Sequence, residues 1–314
     1  MLSLPSVNLF YSAVQHDAMQ SIQLSVNSPY HSMHEYQRFT TSLVLHTLQA
    51  PTTWVGHEGV DITYARFTVE MELLWAGIKL AFSHTKALMH NVLLGKDYEL
   101  DIPEDTPDDW PNSNCSYSWM KEGTFDLKKS CLFEEYLTTQ EILYVNHQGQ
   151  MLMKMSQLRK LLNKIAELNC LLCLLCYFTP GSVACVAEFV DHKISNADCP
   201  HNIFRDGGLI WAVTRHTKME NIVWHEKFLP MFCCAELSHL MDQLLLIIWP
   251  CEIEILQNLQ KYKGAQLTKE SLCVQCGKWV LEDTMYQWLP QFLQKYCKVA
   301  AGARAWCQLA VKIS

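Results

Sequence analysis

The sequence predicts a mainly α-helical protein that carries one small antiparallel sheet of three strands, at about residues 202–230. Three observations lead there. Apolar residues recur at helical spacing from Tyr64 to Leu94 and again from Ser156 to Phe178. Short aromatic and β-branched runs at Asn202–Arg205, Gly208–Arg215 and Ile222–Pro230 are separated by Asp206-Gly207-Gly208 and by Thr217–Asn221, which is turn chemistry at hairpin joints. Amphipathic stretches then follow the strands towards the end of the chain.

Residues 1–30 are rich in Ser, Asn and Gln and are expected to form a loosely ordered lead-in. Residues 31–96 are expected to form a helical, arm-like domain. Its first helix runs from His34 to about Ala50, suggested by the apolar positions Phe39, Leu43, Leu45 and Leu48, with Pro51 as its stop. Its second spans Tyr64 to Leu94, breaks once near Ser83–His84, and is capped by Gly95. Residues 97–130 form an acidic, proline-rich connector, because Pro103, Pro107 and Pro111 exclude both helix and central strand. Trp110, Tyr117 and Trp119 predict that this connector packs against the rest of the chain.

Residues 131–314 form the second domain. Helices are expected at Cys131–Tyr144, at Ser156–Phe178, at Ala235–Trp249 closed by Pro250, and at roughly 251–262, 268–282 and 284–297. The helix at Ser156–Phe178 is apolar on most faces and therefore central.

Composition narrows the class. Apolar residues make up 49% and charged residues 18% of 314, a globular balance that excludes a disordered chain. The longest apolar run, Ile165–Phe178, contains Glu167 and Asn169 and falls short of the roughly 18–20 residues a membrane span requires. The N-terminus lacks the basic start and clean apolar core of a signal peptide, so a nuclear or cytoplasmic location is expected. The 14 cysteines are then reduced thiols. Cys170, Cys173 and Cys176 recur every three residues, as small buried hydrophobes on a helix face or, less in keeping with their surroundings, as metal ligands. Cys273 and Cys276, with Cys297 downstream, supply too few ligands for a standard four-ligand zinc site, although a site completed from elsewhere stays open. His31 and His34 are a lone pair that reads as solvated. No metal or cofactor is expected.

Net charge is −7, unevenly spread. Residues 1–150 hold 8 basic against 18 acidic residues, and residues 151–314 hold 17 against 14. Charge thus permits nucleic-acid contact in the second half without predicting it. Phosphate-binding loops of the G-x-x-x-x-G-K-[ST] type, G-x-S-x-G elbows, H-E-x-x-H and G-x-G-x-x-G are all absent, which points away from a small-molecule enzyme.

Phe178–Glu188 (FTPGSVACVAE) and Gly208–Pro230 (GLIWAVTRHTKMENIVWHEKFLP) resemble the catalytic domain of tyrosine recombinases. The nearer resemblance is to a recombinase-like segment of large basidiomycete fungal proteins, associated with RecQ-type helicase domains and mobile elements. It rests on Thr179-Pro180-Gly181, Glu188, Thr214-Arg215, Lys218, Phe228-Leu229-Pro230, Trp249-Pro250-Cys251-Glu252 and the terminal stretch from Arg304 to Ser314, and it covers about residues 75–314. The resemblance implies a tyrosine-recombinase-like second half. In that family two arginines clamp the scissile phosphate, a hairpin lysine acts as general acid, and a tyrosine attacks the phosphodiester.

Here the position of the first arginine is Cys185 and that of the second is Cys307, followed by Gln308 where a histidine can sit. No tyrosine follows Trp306, so the nucleophile is missing or supplied from outside this chain. Lys218 is a vestige of the catalytic set or an ordinary turn lysine. Arg215, Lys218 and Arg304 are the candidate DNA contacts, with Arg215 alternatively paired to Glu220 or Glu226. The resemblance implies a degenerate, truncated and catalytically dead recombinase-like fragment of mobile-element origin that retains some DNA binding. A helicase domain or another protein would be its partner. The contrasting expectation is a stand-alone helical interaction module with no nucleic-acid role. Arginine and cysteine codons differ by a cytosine-to-thymine change, so mutational decay of a mobile element explains both replacements; related chains bearing Arg at both positions would support that origin, and Cys in the relatives would sink it.

Overall fold

Helices and short hairpins alternate along the chain in the computed structural model, which describes residues 52–55, 61–64, 67–98, 114–122, 131–139, 142–180, 185–214 and 229–313, with a few single residues of the 99–113 stretch. The described residues belong to one compact unit, Thr52–Ser314. The expected lead-in and the helix His34–Ala50 lie outside them.

The protein is mainly helical with small antiparallel sheets. The expected single sheet is corrected: four sheets occur among the described residues. The first is built from β1 (Thr52–Val55), β2 (Asp61–Tyr64) and β3 (Phe67–Val69), where the sequence reading placed loop and the start of a helix. Helix α1 accordingly begins at Met71 and runs to Val92. It does not break at Ser83–His84. The Ser83 hydroxyl donates to the Lys79 carbonyl (3.1 Å) and that of Thr85 to Ala81 (2.8 Å), so both polar side chains bond within the helix instead of competing with it. At its end the Gly95 N–H donates to the His90 carbonyl (2.8 Å), while Leu94 and Gly95 both take positive φ (58° and 74°), the left-handed exit of a helix C-terminus.

In the connector, Tyr117 and Trp119 are buried, and Trp119 begins the short helix α2 (Trp119–Glu122). Asn196 Nδ2 donates to the carbonyls of Asn112 (2.7 Å) and Asn114 (3.0 Å), and His201 lies 3.2 Å from the Asp108 carboxylate, tying this segment to the loop that precedes the central sheet. Trp110 lies outside the described residues.

Helix α3 spans only Cys131–Thr139. The expected continuation to Tyr144 is corrected to a hairpin of β4 (Leu143–Val145) and β5 (Met151–Met153), closed by a turn in which Gly149 takes φ +74°. Helix α4 (Met155–Phe178) matches its expected span and is the core element: from Leu158 to Phe178 most of its side chains are buried. By length and hydropathy it is the one helix among the described residues able to cross a membrane, against the expectation that no such run exists. With 78% of its most apolar window buried within the protein, it is accounted for as a core helix. Helix α1 packs along it.

After the short helix α5 (Val186–Val190) comes the central sheet, ordered β6 (Ile203–Asp206), β7 (Leu209–Thr214), β8 (Leu229–Phe232). Gly207 and Gly208, at φ +53° and +75°, make the predicted two-residue turn between its first strands. Of the expected third strand Ile222–Pro230, residues 222–228 lie outside the described residues; β8 is described over Leu229–Phe232, paired so that Pro230 lies opposite Val213. Proline is tolerated there because β8 is an edge strand, whose missing N–H need not serve the ladder.

Pro250 does not end the next helix. Helix α6 (Ala235–Gln243) passes into a π-helical turn, Leu244–Ile248, and then into α7 (Trp249–Asn258). The widened turn falls where the proline ring would otherwise clash with the carbonyl four residues back, so the apolar helix continues through it. The expected helix 268–282 is also corrected. Helix α8 (Tyr262–Glu270) ends before a hairpin of β9 (Val274–Gln275) and β10 (Lys278–Trp279), whose turn residues Cys276 and Gly277 both have positive φ (51° and 71°). Helix α9 (Glu282–Phe292) leads into a second π-helical turn, Leu293–Cys297, and α10 (Ala303–Ile313), not foreseen as a helix, completes the described chain.

Candidate functional site

The C-terminal end of α4 is where the residues singled out by their motif come together. Cys185 is the exposed N-cap of α5, and its backbone N–H donates to the Glu188 carboxylate (2.8 Å). That bond gives Glu188 a local job, closing the open start of the helix. Cys307, on α10, is half-buried and its thiol lies 3.4 Å from the hydroxyl of Tyr177, the penultimate residue of α4. Burial pushes the Tyr177 hydroxyl well above the usual phenol range; Cys307 adds most after burial, and Cys185 and Tyr286 add to it. Cys307, on α10, thus contacts the Tyr177 hydroxyl, and Cys185, at the start of α5, lies within electrostatic reach of it.

An aromatic cluster surrounds that point. The Tyr177 ring meets Phe178 and Phe189 edge-on, at centroid separations of 5.8 and 5.2 Å. Phe178 in turn stacks on Phe292 (4.8 Å) and meets Trp306 edge-on (4.6 Å). These contacts hold α10 against the end of α4, so the spacing between the two cysteine positions is set by ring packing. Tyr177 carried no signal in the sequence beyond its place before Thr179-Pro180, where a buried aromatic is the ordinary reading.

The remaining candidates are only partly placed. Arg304 and Gln308 lie on α10, with side chains outside what the structure describes. Lys218 and Arg215, with His216 and His225, fall in 215–228, outside the described residues.

The cysteines with ligand-like spacing point in different directions. Cys273 is buried, with its thiol 3.7 Å from the Phe189 carbonyl and a hydrogen bond to Cys173. The Cys276 thiol faces the Leu162 carbonyl (3.8 Å) on the far side of the hairpin, and Cys297 faces the Leu74 carbonyl (3.8 Å). Cys173 and Cys176 are buried and Cys170 half-buried. Among the described residues no three His, Cys, Asp or Glu side chains stand together as a metal ligand set.

No family model, curated protein or solved structure matches this chain.

Proposed function

We propose that this chain is a recombinase-like nucleic-acid-binding protein that does not transfer strands. The observation that carries the reading is the contact of Cys307 with the Tyr177 hydroxyl, with Cys185 within electrostatic reach of the same group. Those are the two positions that resemble the phosphate-clamp arginines, and a shared catalytic centre requires them to be neighbours whatever their separation in the chain. A thiol has neither the fixed charge nor the planar fork with which guanidinium grips phosphate. Losing one such donor costs about 3–4 kcal/mol of transition-state stabilisation, so losing both removes a clamp able to support the reaction. Binding without cleavage, through Arg215, Lys218 and Arg304, is the activity that remains. A nuclear location, a helicase-type partner and a mobile-element origin follow from the same resemblance.

Rebuilding the clamp tests this. A Cys185→Arg/Cys307→Arg variant is expected to bind duplex DNA more tightly than the parent and to steepen the log–log salt dependence by about 0.9 per added phosphate contact. Mobility-shift titrations across salt measure both. An unchanged slope, with the variant folded, would mean that these positions do not face a phosphate.

One observation favours a protein-interaction module instead. The β4–β5 hairpin exposes Tyr144, Val145, Met151 and Leu152, and Ile142–Met153 carries no Asp, Glu, Lys or Arg. Absence of any DNA shift at low salt, together with self-association that Val145→Lys abolishes, would move the assignment to that reading.

A further inference from the structure

A groove of about 570 Å³ runs between α4 and α9 with its π-helical extension, and the turn of the β9–β10 hairpin closes one end. Its floor is apolar, with Leu171, Leu174 and Phe292 buried. Half-buried Trp288 stands on one wall, and Asn163, Gln275 and Gln291 supply amides along the rim. Glu167 and Lys295 face each other across it, both acting on the Cys170 thiol between them.

The hairpin end of the groove carries exposed cations. The Cys276 thiol touches the Leu162 carbonyl and the Asn163 amide oxygen, and it feels the buried Glu252 carboxyl first and then both Lys261 and Lys278. One turn back along α4 from Asn163, on the same helix face, are Arg159 and Lys160. All four cations are exposed, and none has an ion-pair partner among the described residues. Tyr262, beside Lys261, is 66% exposed. Unpaired cations gathered on one face of a chain with net charge −7 call for an anion that the chain itself does not provide.

We propose that this groove binds a single-stranded nucleic acid, with backbone phosphates on Arg159, Lys160, Lys261 and Lys278 and a base stacked on Trp288. Regularly charged backbone and flat apolar faces are the two features that this combination of cations and ring matches, and the amides at the rim serve the base edges. Glu167 is the one carboxylate lining the groove, and Lys295 opposes it. The inference rests on the nucleic-acid reading above for its polymer class and places a contact surface beyond Cys185 and Cys307.

Fluorescence anisotropy with a labelled oligothymidylate, repeated across salt, tests it. Lys261→Gln/Lys278→Gln should weaken binding at least ten-fold and lower the log–log salt slope by about 0.7 per lysine removed. Trp288→Ala should weaken binding roughly ten-fold with the slope unchanged, because stacking releases no counterions. Thermal midpoints matching the parent establish that the lysine variants are folded. If these variants bind the oligonucleotide as the parent does, the groove is overturned while the DNA reading at Cys185 and Cys307 stands. If the parent binds poly-glutamate and no oligonucleotide, the occupant is an acidic peptide and the inference fails.

Discussion

Gly77→Ala is expected to destabilise the protein by about 2 kcal/mol or more, the net of an overpacking cost near the top of its usual 1–3 kcal/mol range and a gain of about 1 kcal/mol in helix propensity. Gly77 lies on the buried side of α1, where the π-helical turn Leu293–Cys297 crosses it. A Cβ there would stand 2.6 Å from the Tyr296 carbonyl oxygen, 2.7 Å from its carbon and 2.8 Å from the Cys297 Cα. All three are backbone atoms, so no side chain can rotate away. Relief requires α1 to separate from the turn, which would also strain the His84–Tyr296 hydrogen bond that links the same two elements. Gly302→Ala, whose Cβ would meet nothing within 4 Å, is the matched control and should melt like the parent. Thermal or urea denaturation of the three proteins decides it, and a Gly77→Ala variant as stable as the parent would mean that α1 and the turn do not approach so closely.

Between pH 6.5 and 8 the protein is expected to lose about 2 kcal/mol of stability, and Glu252→Gln or Glu252→Met should abolish that loss. Glu252 is 1% exposed on α7, and its Oε1 has no hydrogen-bond partner. Burial pushes its carboxyl up from 4.5 to about 8. Across the interval between those values the native state keeps a proton that the unfolded chain has released. The unfolded state therefore binds fewer protons, and stability falls as pH rises, by about 1.4 kcal/mol per pH unit.

Two other buried groups act only at lower pH. Burial lifts Asp242 to about 6 against the pull of Arg205 at 3.6 Å, and its penalty likewise grows as pH rises, from 3.8 to 6. Burial lowers His192 to about 4, so its contribution is complete above 6.5 and lost as pH falls towards 4. Asp242 and His192 thus oppose each other on the acid side, and from 6.5 to 8 Glu252 dominates, the buried thiols, raised above 9.0, adding their smaller loss only near the top of the interval. Denaturant midpoints measured across that interval give the slope directly. Two replacements are needed because Gln brings a new donor into the core whereas Met does not, and the prediction concerns the slope that both should flatten.

Candidate site positions were legible where a motif marked them. Cys185 and Cys307 could be singled out from the Thr179-Pro180-Gly181 turn and from the stretch around Trp306, but nothing local announced that Cys307 contacts Tyr177. No motif marks Lys261, Lys278 or Trp288 in the sequence. They acquire meaning only when the start of α8, the β9–β10 hairpin and α9 bring them to the side of α4.

By itself the sequence determined the mainly helical class, the helix at Met155–Phe178, and the first two strands of the central sheet with the glycine turn between them. Each is a local matter: a long apolar stripe, β-branched runs, and paired glycines free to take positive φ. Tertiary structure decided the remainder. Helix α1 stays whole because its Ser and Thr hydroxyls bond inward and its apolar face lies along α4. The chain continues through Pro250 because burial on every side rewards the apolar helix enough to keep a π-helical turn in it. The strands of the 52–69 sheet and the 274–279 hairpin are too short to announce themselves by alternation, and they exist where partners stand opposite them. Periodicity reports which residues prefer to be buried, whereas the elements that cover them are set by contacts between distant parts of the chain.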